Sequence, residues 1–227
     1  MDKEGLTKRY LVFIIGLYFL ALGIVMIVRS AMGTTPISSI NYVCSINTPL
    51  SLGTWTFITN LIMIALQLLL IRGGYGNKKD VIEILLQIPL SFVFSAFIDL
   101  NMWITNRISP FNYGMSVVFL LIGCIIQSVG VVLEIKPKVA MMSAEGLVKY
   151  LSRRVNKEFG KMKVYVDLTL VSLAILASLA FSGKIEGVRE GSVIAALITG
   201  YIVSFLNHKI MTRKMIHRLI PVFHRQY

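Results

Sequence analysis

Six long apolar runs, each long enough to cross a lipid bilayer as a helix, constrain this chain more than any other feature. A spanning helix needs about 20 mostly apolar residues, and continuous rather than alternating runs favour helices over strands. Charged residues make up 15% of the 227 residues, against about a quarter in a soluble domain, which excludes an ordinary soluble fold. The predicted spans are residues 10–28, 55–71, 81–103, 113–133, 164–181 and 192–207.

The basic residues predict how these spans are oriented. With six spans and an inner N-terminus, 19 of the 23 Lys and Arg residues lie in inner segments, and the outer segments hold the other four, Arg29, Arg107, Lys184 and Arg189. Inner loops of membrane proteins carry such an excess of basic residues, so both termini are expected to be cytoplasmic. The net charge of +12 is therefore attributed to basic residues that orient the chain in the bilayer, and no nucleic-acid partner is expected.

A weak internal repeat divides the chain into two halves. At one constant sequence offset, four glycine pairs coincide, and Asn60 meets Asp167 while Glu83 meets Glu190. The glycine pairs are Gly16 with Gly123, Gly23 with Gly130, Gly53 with Gly160, and Gly76 with Gly183. Three spans in each half would insert the two halves in opposite directions, as in many secondary transporters. The predicted units are residues 1–107, residues 108–208 in inverted topology, and a basic cytoplasmic tail at 209–227.

The connector after the first span of each half is unusually long, and each connector predicts a short helix. Pro36 suits the first turn of one helix, with Thr34 or Thr35 as its cap. Ser143, which matches Pro36 at the offset of the repeat, opens the amphipathic stretch SAEGLVKYLSRRV. The sequence therefore predicts an all-α membrane protein of six spans in two inverted repeats, each with a short helix after its first span. Whether the short helices lie at the membrane surface or re-enter the protein is left open.

Five stretches of the chain resemble the YczE/YyaS/YitT group of bacterial integral membrane proteins. They are GIVMIVRSAMGTTP (23–36), SLGTWTFITNL (51–61), SAEGLVKYL (143–151), FGKMKVYVDL (159–168) and GVREGSVIAAL (187–197). Members often carry an aromatic residue after the proline, where this sequence has Ile37. The resemblance implies a multi-pass protein of the bacterial inner membrane, of a kind often described as a transporter, and it implies no substrate.

The first connector supplies four candidate substrate-binding residues: Arg29, Thr34, Thr35 and Ser38. A cation beside a helix N-terminus, with hydroxyl donors close by, suits a carboxylate or another anion. Arg29 has an alternative role, because a long cationic side chain at a span's end can reach the outer headgroups.

The other candidates are polar residues within or beside the apolar segments, where a polar side chain is costly unless it has a partner or a function. Asn60 and Asp167 occupy matched positions and could bind a substrate or a coupling cation. The alternatives are an interhelical hydrogen bond for Asn60 and an ion pair between Asp167 and Lys163. Glu145 and Glu190 each open a helix, where a carboxylate is favourable by itself.

These observations predict a secondary transporter of a small polar or anionic solute. The alternative is a non-transporting scaffold that binds a partner or anionic lipid through the basic inner connector, and a subunit of a larger transporter is a third hypothesis. No nucleotide-binding loop or catalytic motif is present, so no enzyme is predicted. The two cysteines and the three histidines have no metal-ligand spacing, so no metal or cofactor is expected. The lipid bilayer and a small-molecule solute are the expected partners, and the architecture also allows a homodimer.

Overall fold

The chain folds into a bundle of helices in a computed structural model that describes residues 3–72 and 76–206, with the side chains of residues 3–5 and 204 left aside. These residues form eight α-helices and no strand. The helices are α1 (Lys3–Arg29), α2 (Pro36–Asn47), α3 (Leu52–Ile71), α4 (Lys78–Ile104), α5 (Tyr113–Ile135), α6 (Ser143–Val155), α7 (Phe159–Ser182) and α8 (Glu190–Phe205). The two short helices α2 and α6 begin at the residues that the sequence predicts.

Five of the helices are long and apolar enough to cross a membrane: α1, α3, α4, α5 and α7. The sixth predicted span, residues 192–207, coincides with α8, which has 16 residues and is a shorter apolar helix. Asn207, the predicted basic tail and the three histidines lie outside the described residues. Six spans therefore stay a prediction, whereas the all-α fold with several membrane-length helices is confirmed.

Helices α1 and α5 form the closest pair, and glycines make their approach possible. A side chain at Gly23 would overlap the backbone nitrogen of Gln127, and one at Gly130 would overlap that of Leu20. Without a Cβ atom, the two backbones come together as they do in membrane helix pairs with small residues. Helix α1 also buries Phe13. This pair is the centre of the described bundle.

Of the remaining helices, α4 and α8 make the main contacts with the central pair. Helix α4 packs against both α1 and α3, and α8 packs against α5. The short helix α2 contacts α3 and α7, and the short helix α6 contacts the same two helices. The first turns of α2 and α6 share one apolar cluster, which contains Ile37 and Ile40 from α2, Ala144 and Val148 from α6, and Met63 from α3.

Both short helices begin at mid-height of α3 and run towards opposite ends of it. At the start of α6, the Ser143 hydroxyl donates to Asn60 at 2.7 Å, about 12 Å along the axis from the first residue of α3. Arg153, near the end of α6, pairs with Asp80 in the first turn of α4. In α2, Asn41 bonds to Thr59 of α3, and the C-terminal cap Thr48 accepts from Trp55. The starts of both helices thus lie inside the bundle.

Candidate functional site

The break between α1 and α2 brings the predicted hydroxyl residues together. Thr35 occupies the cap position of α2, but its side chain makes no capping bond and instead donates to Ser38 at 3.1 Å. The hydroxyl oxygens of Thr34 and Ser39 lie 3.1 Å apart, within hydrogen-bond distance. The backbone of Ala31 and Gly33 is left-handed, with φ values of 57° and 119°. This conformation costs energy at Ala31, where the chain turns back into the bundle.

A second loop, between α7 and α8, closes over this break. The Thr34 hydroxyl donates to the Gly187 carbonyl at 3.1 Å, and the Thr34 amide donates to the Ser192 hydroxyl at 3.0 Å. The Gly191 amide donates to the Met32 carbonyl at 2.9 Å. Segments far apart in sequence are therefore joined by hydrogen bonds of both backbone and side chain. Glu190 lies at the end of this loop, half-exposed, with its carboxylate 3.7 Å from Arg189.

Arg29 lies at the same end of the bundle but is directed towards α4. Its Nη2 atom donates to the Met102 carbonyl at 2.7 Å, and its Nε atom donates to the Thr105 hydroxyl at 3.2 Å. A cation at the C-terminal end of a helix interacts favourably with the helix dipole. Arg29 thus has a structural role in joining α1 to α4, and a bound anion at Arg29 stays a prediction.

A cleft of about 490 Å³ opens beside the break. Its lining comes from the end of α1, the break itself, α2 and the loop between α7 and α8. The lining residues are Val28, Ala31, Gly33, Tyr42, Ile46, Ile185, Glu186, Gly187 and Arg189. Burial is the main cause that raises the pKa of the Tyr42 phenol. The charge of Arg29 lowers this pKa to a smaller extent, and the charge of Glu186 raises it. The cleft combines apolar walls with charges of both signs, while Asn60 and Asp167 are not among its lining residues.

A second polar region surrounds the start of α6. Asn60 is 6% exposed, and while its Oδ1 atom accepts from Ser143, its Nδ2 atom is buried without a hydrogen-bond partner. Further along α3, the side-chain amide of Gln67 faces that of Gln87 in α4, and each donates to the other, at 2.9 and 3.0 Å. Gln67 also donates to the Ser143 carbonyl at 3.0 Å. A buried amide donor is costly to leave unpaired, so Asn60 is a candidate for contact with a ligand.

Three carboxylates and one lysine lie close to this region. Glu145, in the first turn of α6, is in electrostatic contact with Lys163 and Asp167 of α7. Burial is the main cause that raises the pKa of the Glu145 carboxyl. The Met142 amide donates to the carboxylate of Glu134, which is 5% exposed and lies close to Glu145. Lys163 approaches Asp167 at 3.4 Å, which is the ion pair that the sequence allowed.

The predicted site residues therefore fall into two groups at different places. Thr34, Thr35, Ser38 and Glu190 lie at the break and the loop that closes it, whereas Asn60, Glu145 and Asp167 lie around the start of α6. The repeat aligned Glu190 with Glu83, but Glu83 pairs with Lys149 at 2.5 Å.

Sequence reasoning missed the burial of Glu134 and the reciprocal pairing of Gln67 with Gln87. In the sequence, Glu134 is the polar residue that follows a predicted span, and no sequence signal indicates that its side chain is buried. Two glutamines within apolar runs do signal helix contacts, but not which partners they have. In the residues that the structure describes, no group of three His, Cys, Asp or Glu side chains is placed to hold a metal ion.

Comparisons with known proteins identify a family for this fold. Residues 7–208 match a family of unknown function, DUF6198, so the match covers the central helix pair, both short helices and both polar regions. Neither the curated proteins nor the solved structures yielded a match to this chain. The chain belongs to the DUF6198 family.

Proposed function

We propose that this protein is a secondary transporter of a small polar solute, with its central site at the start of α6. The observation that carries the proposal is the unpaired Nδ2 donor of Asn60, a residue of α3 that is only 6% exposed. Asn60 contacts Ser143, the first residue of α6, and α6 starts inside the bundle. Interrupted helices with ends at mid-membrane form the substrate sites of many secondary transporters. A polar atom without a partner at such depth is costly, which makes Asn60 a candidate for contact with a solute.

Two inverted repeats would place this site between two halves of the chain, and matched contacts support them. A side chain at Gly16 would meet Glu134, and one at Gly123 would meet Ile27, the residue that matches Glu134 at the offset of the repeat. Gly23 and Gly130 have the same relation, since their neighbours Gln127 and Leu20 also match at that offset. The contact of α2 with α7 likewise matches that of α6 with α3. Such a pattern is expected when two halves pack around a two-fold axis.

The same repeat argument supports a sixth span and a multi-pass arrangement with both termini in the cytoplasm. Helix α8 packs on α5 as α4 packs on α1, so α8 occupies the place of a third span in the second half. The basic residues favour a cytoplasmic N-terminus by the positive-inside rule. The bacterial inner membrane follows from the resemblance to the YczE/YyaS/YitT group, which stays a prediction.

The structure represents a closed state under this proposal. The cleft beside the break is not lined by Asn60 or Asp167, so the proposal requires the halves to rearrange before a solute in this cleft reaches Asn60. Alternating access of this kind moves one bundle against the other around a fixed site. We keep a polar rather than an anionic solute as the main proposal, because Glu134, Glu145 and Asp167 surround the start of α6 with acidic groups.

The scaffold alternative is less well supported by the geometry. It requires the basic connector between α5 and α7 to present its charges to a partner or to anionic lipid. Four cations of this region are already paired: Lys149 with Glu83, Arg153 with Asp80, Lys161 with Glu158, and Lys163 with Asp167. Two of these pairs, Lys149–Glu83 and Arg153–Asp80, hold α6 against α4 with charges that a scaffold would need at its surface.

A binding screen followed by an uptake assay tests the proposal. Detergent-purified protein is screened by thermal shift with pools of polar metabolites, and each hit is then tested for uptake into proteoliposomes. Asn60→Ala should abolish the shift and the uptake, and Asp167→Asn should reduce them. Glu158→Gln changes an exposed carboxylate near the start of α7 and should leave both unchanged. Hits that Asn60→Ala binds and transports as the wild type does would refute the proposed site, and the absence of any hit would refute the function.

A further inference from the structure

The cleft beside the break contains two charged groups of opposite sign with hydrogen-bonding capacity left over. Glu186 is half-buried, and its carboxylate makes no hydrogen bond or ion pair within the described part of the chain. Its own backbone amide donates to Ser178 at 2.7 Å, which fixes the position of the loop. This carboxylate is therefore left to pair with a group that enters the cleft.

Arg189 supplies the positive group. Its Nη1 atom donates to the Ala31 carbonyl at 3.1 Å, and its Nε atom lies 3.7 Å from Glu190. These contacts direct the guanidinium, whose side chain is 57% exposed, towards the cleft and leave Nη2 without a hydrogen bond among the described residues. A guanidinium that is already oriented is well suited to bind a carboxylate.

The walls of the cleft between these groups are apolar and aromatic. Val28 and Ile46 contribute aliphatic surface, and the Tyr42 ring lies against Gly187. Gly187 has a φ of 77°, and a side chain there would meet the Tyr42 ring at 2.9 Å. The left-handed glycine therefore lets the loop pass close to the ring and keeps the cleft narrow. A volume of about 490 Å³ is in the range of pockets for small metabolites.

We propose that this cleft binds a small zwitterion, an amino-acid-like molecule with an apolar side chain. Its ammonium group lies at Glu186, its carboxylate lies at Arg189, and its side chain packs on Val28 and Ile46. A purely anionic ligand would leave the carboxylate of Glu186 without a partner. A purely cationic ligand would leave Nη2 of Arg189 without a partner. A molecule with both charges satisfies both groups. This inference goes beyond transport, because binding in this cleft requires no translocation.

Isothermal titration of the detergent-purified full chain tests the charge requirement with three compounds that share one carbon skeleton. Leucine carries both charges, leucinamide only the ammonium, and 4-methylpentanoate only the carboxylate. Leucine should bind, and each of the other two should bind at least about tenfold more weakly, because each loses one charge-assisted hydrogen bond. Equal binding of all three overturns the proposal, as does the failure of leucine, valine and phenylalanine to bind.

The variant Glu186→Gln tests the placement of the ammonium group. It should weaken leucine and leucinamide by about tenfold or more and leave 4-methylpentanoate no weaker. Glu158→Gln, which removes an exposed carboxylate far from the cleft in sequence and contacts, is the matched control and should bind leucine as the wild type does. An unchanged elution profile and helical circular dichroism show that the variant is folded. Leucine binding that is unaffected in the folded variant overturns the placement.

The outcome also separates this site from the proposed central site. If leucine binds and no polar metabolite of the screen is taken up by proteoliposomes, the zwitterion site stands without the transport function. If a transported solute depends on Asn60 and the zwitterions do not bind, the transport function stands and the cleft assignment fails.

Discussion

The two short helices begin at the same height in the bundle, yet their first turns are satisfied in different ways. The start of α2 is enclosed by its own hydroxyl groups, since Thr34 bonds to Ser39 and Thr35 bonds to Ser38. The start of α6 depends on amides from another helix, those of Asn60 and Gln67 in α3. It also carries an acidic residue in its first turn, and α2 carries none there.

This difference shows that two short helices with similar positions in the bundle can have different hydrogen-bond partners at their first turns. At α2, Thr35 bonds within its own helix, and Thr34 bonds both to Ser39 and to Gly187 of the loop before α8, so that end is a joint between α1, α2 and this loop. At α6 the partners come from distant parts of the chain, and one donor, Asn60 Nδ2, remains unpaired. We therefore expect mutations at α6 to affect stability and binding more than matched mutations at α2.

The largest effect is expected from Gly146→Val. A Cβ atom there would lie 2.5 Å from Gln67 Oε1 and 2.7 Å from Gln87 Nε2, so the substitution separates the amide pair from α6. We expect a loss of about 2–3 kcal/mol in the free energy of unfolding, measured by denaturant titration in detergent. Gly160→Val is the control, because a side chain there meets no atom within 4 Å. Equal losses in the two variants would contradict the tight packing at α6.

The next effect concerns the Gln67–Gln87 pair itself. Gln67→Leu or Gln87→Leu alone leaves a buried amide without its partner and should cost about 1–3 kcal/mol. The double variant should cost less than the sum of the two single changes, because no unpaired amide remains. A double-mutant cycle by denaturant titration measures this coupling, and strict additivity would show that the two amides do not act as a pair.

A smaller effect is expected at the start of α2. Thr34→Val removes the hydroxyl bonds to Ser39 and Gly187 and should lower the free energy of unfolding by about 1 kcal/mol. Thr169→Val, which removes an exposed hydroxyl that bonds only within its own helix, should change stability by less. If Thr34→Val costs as much as Gly146→Val, the two helix starts do not differ as proposed.

The smallest expected effect is a pH dependence in the acidic range, which α6 has and which α2 lacks because it contains no Asp or Glu. Glu145 faces Glu134, Lys163 and Asp167, and burial raises the pKa of its carboxyl above 4.5 in the folded protein. The folded state therefore favours the protonated form, and stability falls as the pH rises from 4.5 through the folded pKa. Glu145→Gln should flatten this fall in thermal unfolding measured across that range. Glu158→Gln should retain it, and an unchanged slope in Glu145→Gln would remove Glu145 as its source.

Much of the fold follows from local patterns. Long apolar runs predict five of the described helices, since burying backbone polar groups in lipid requires intrahelical bonds. Pro36 predicts the start of α2, because its missing amide and fixed φ suit a first turn. The apolar and charged periodicity of residues 143–155 predicts α6 in the same way.

The candidate site was predictable only in part. Asn60, Asp167 and Glu145 could be singled out because polar groups in apolar segments need a reason. The pairing of Asp167 with Lys163 was also foreseeable, since the two face each other across one turn of a helix. The cleft lined by Tyr42 and Glu186 was not, because its walls come from opposite halves of the sequence.

The sequence by itself determined that the chain is helical, that it is too apolar for an ordinary soluble fold, and where its two short helices start. These properties depend on neighbouring residues and on the preference of backbone groups for internal hydrogen bonds. Only the tertiary structure decided that Arg29 binds the end of α4, that Gln67 pairs with Gln87, and that Asn60 keeps an unpaired donor. Such contacts depend on the register between packed helices, here between α1 and α4, α3 and α4, and α3 and α6. No local pattern along the chain encodes that register.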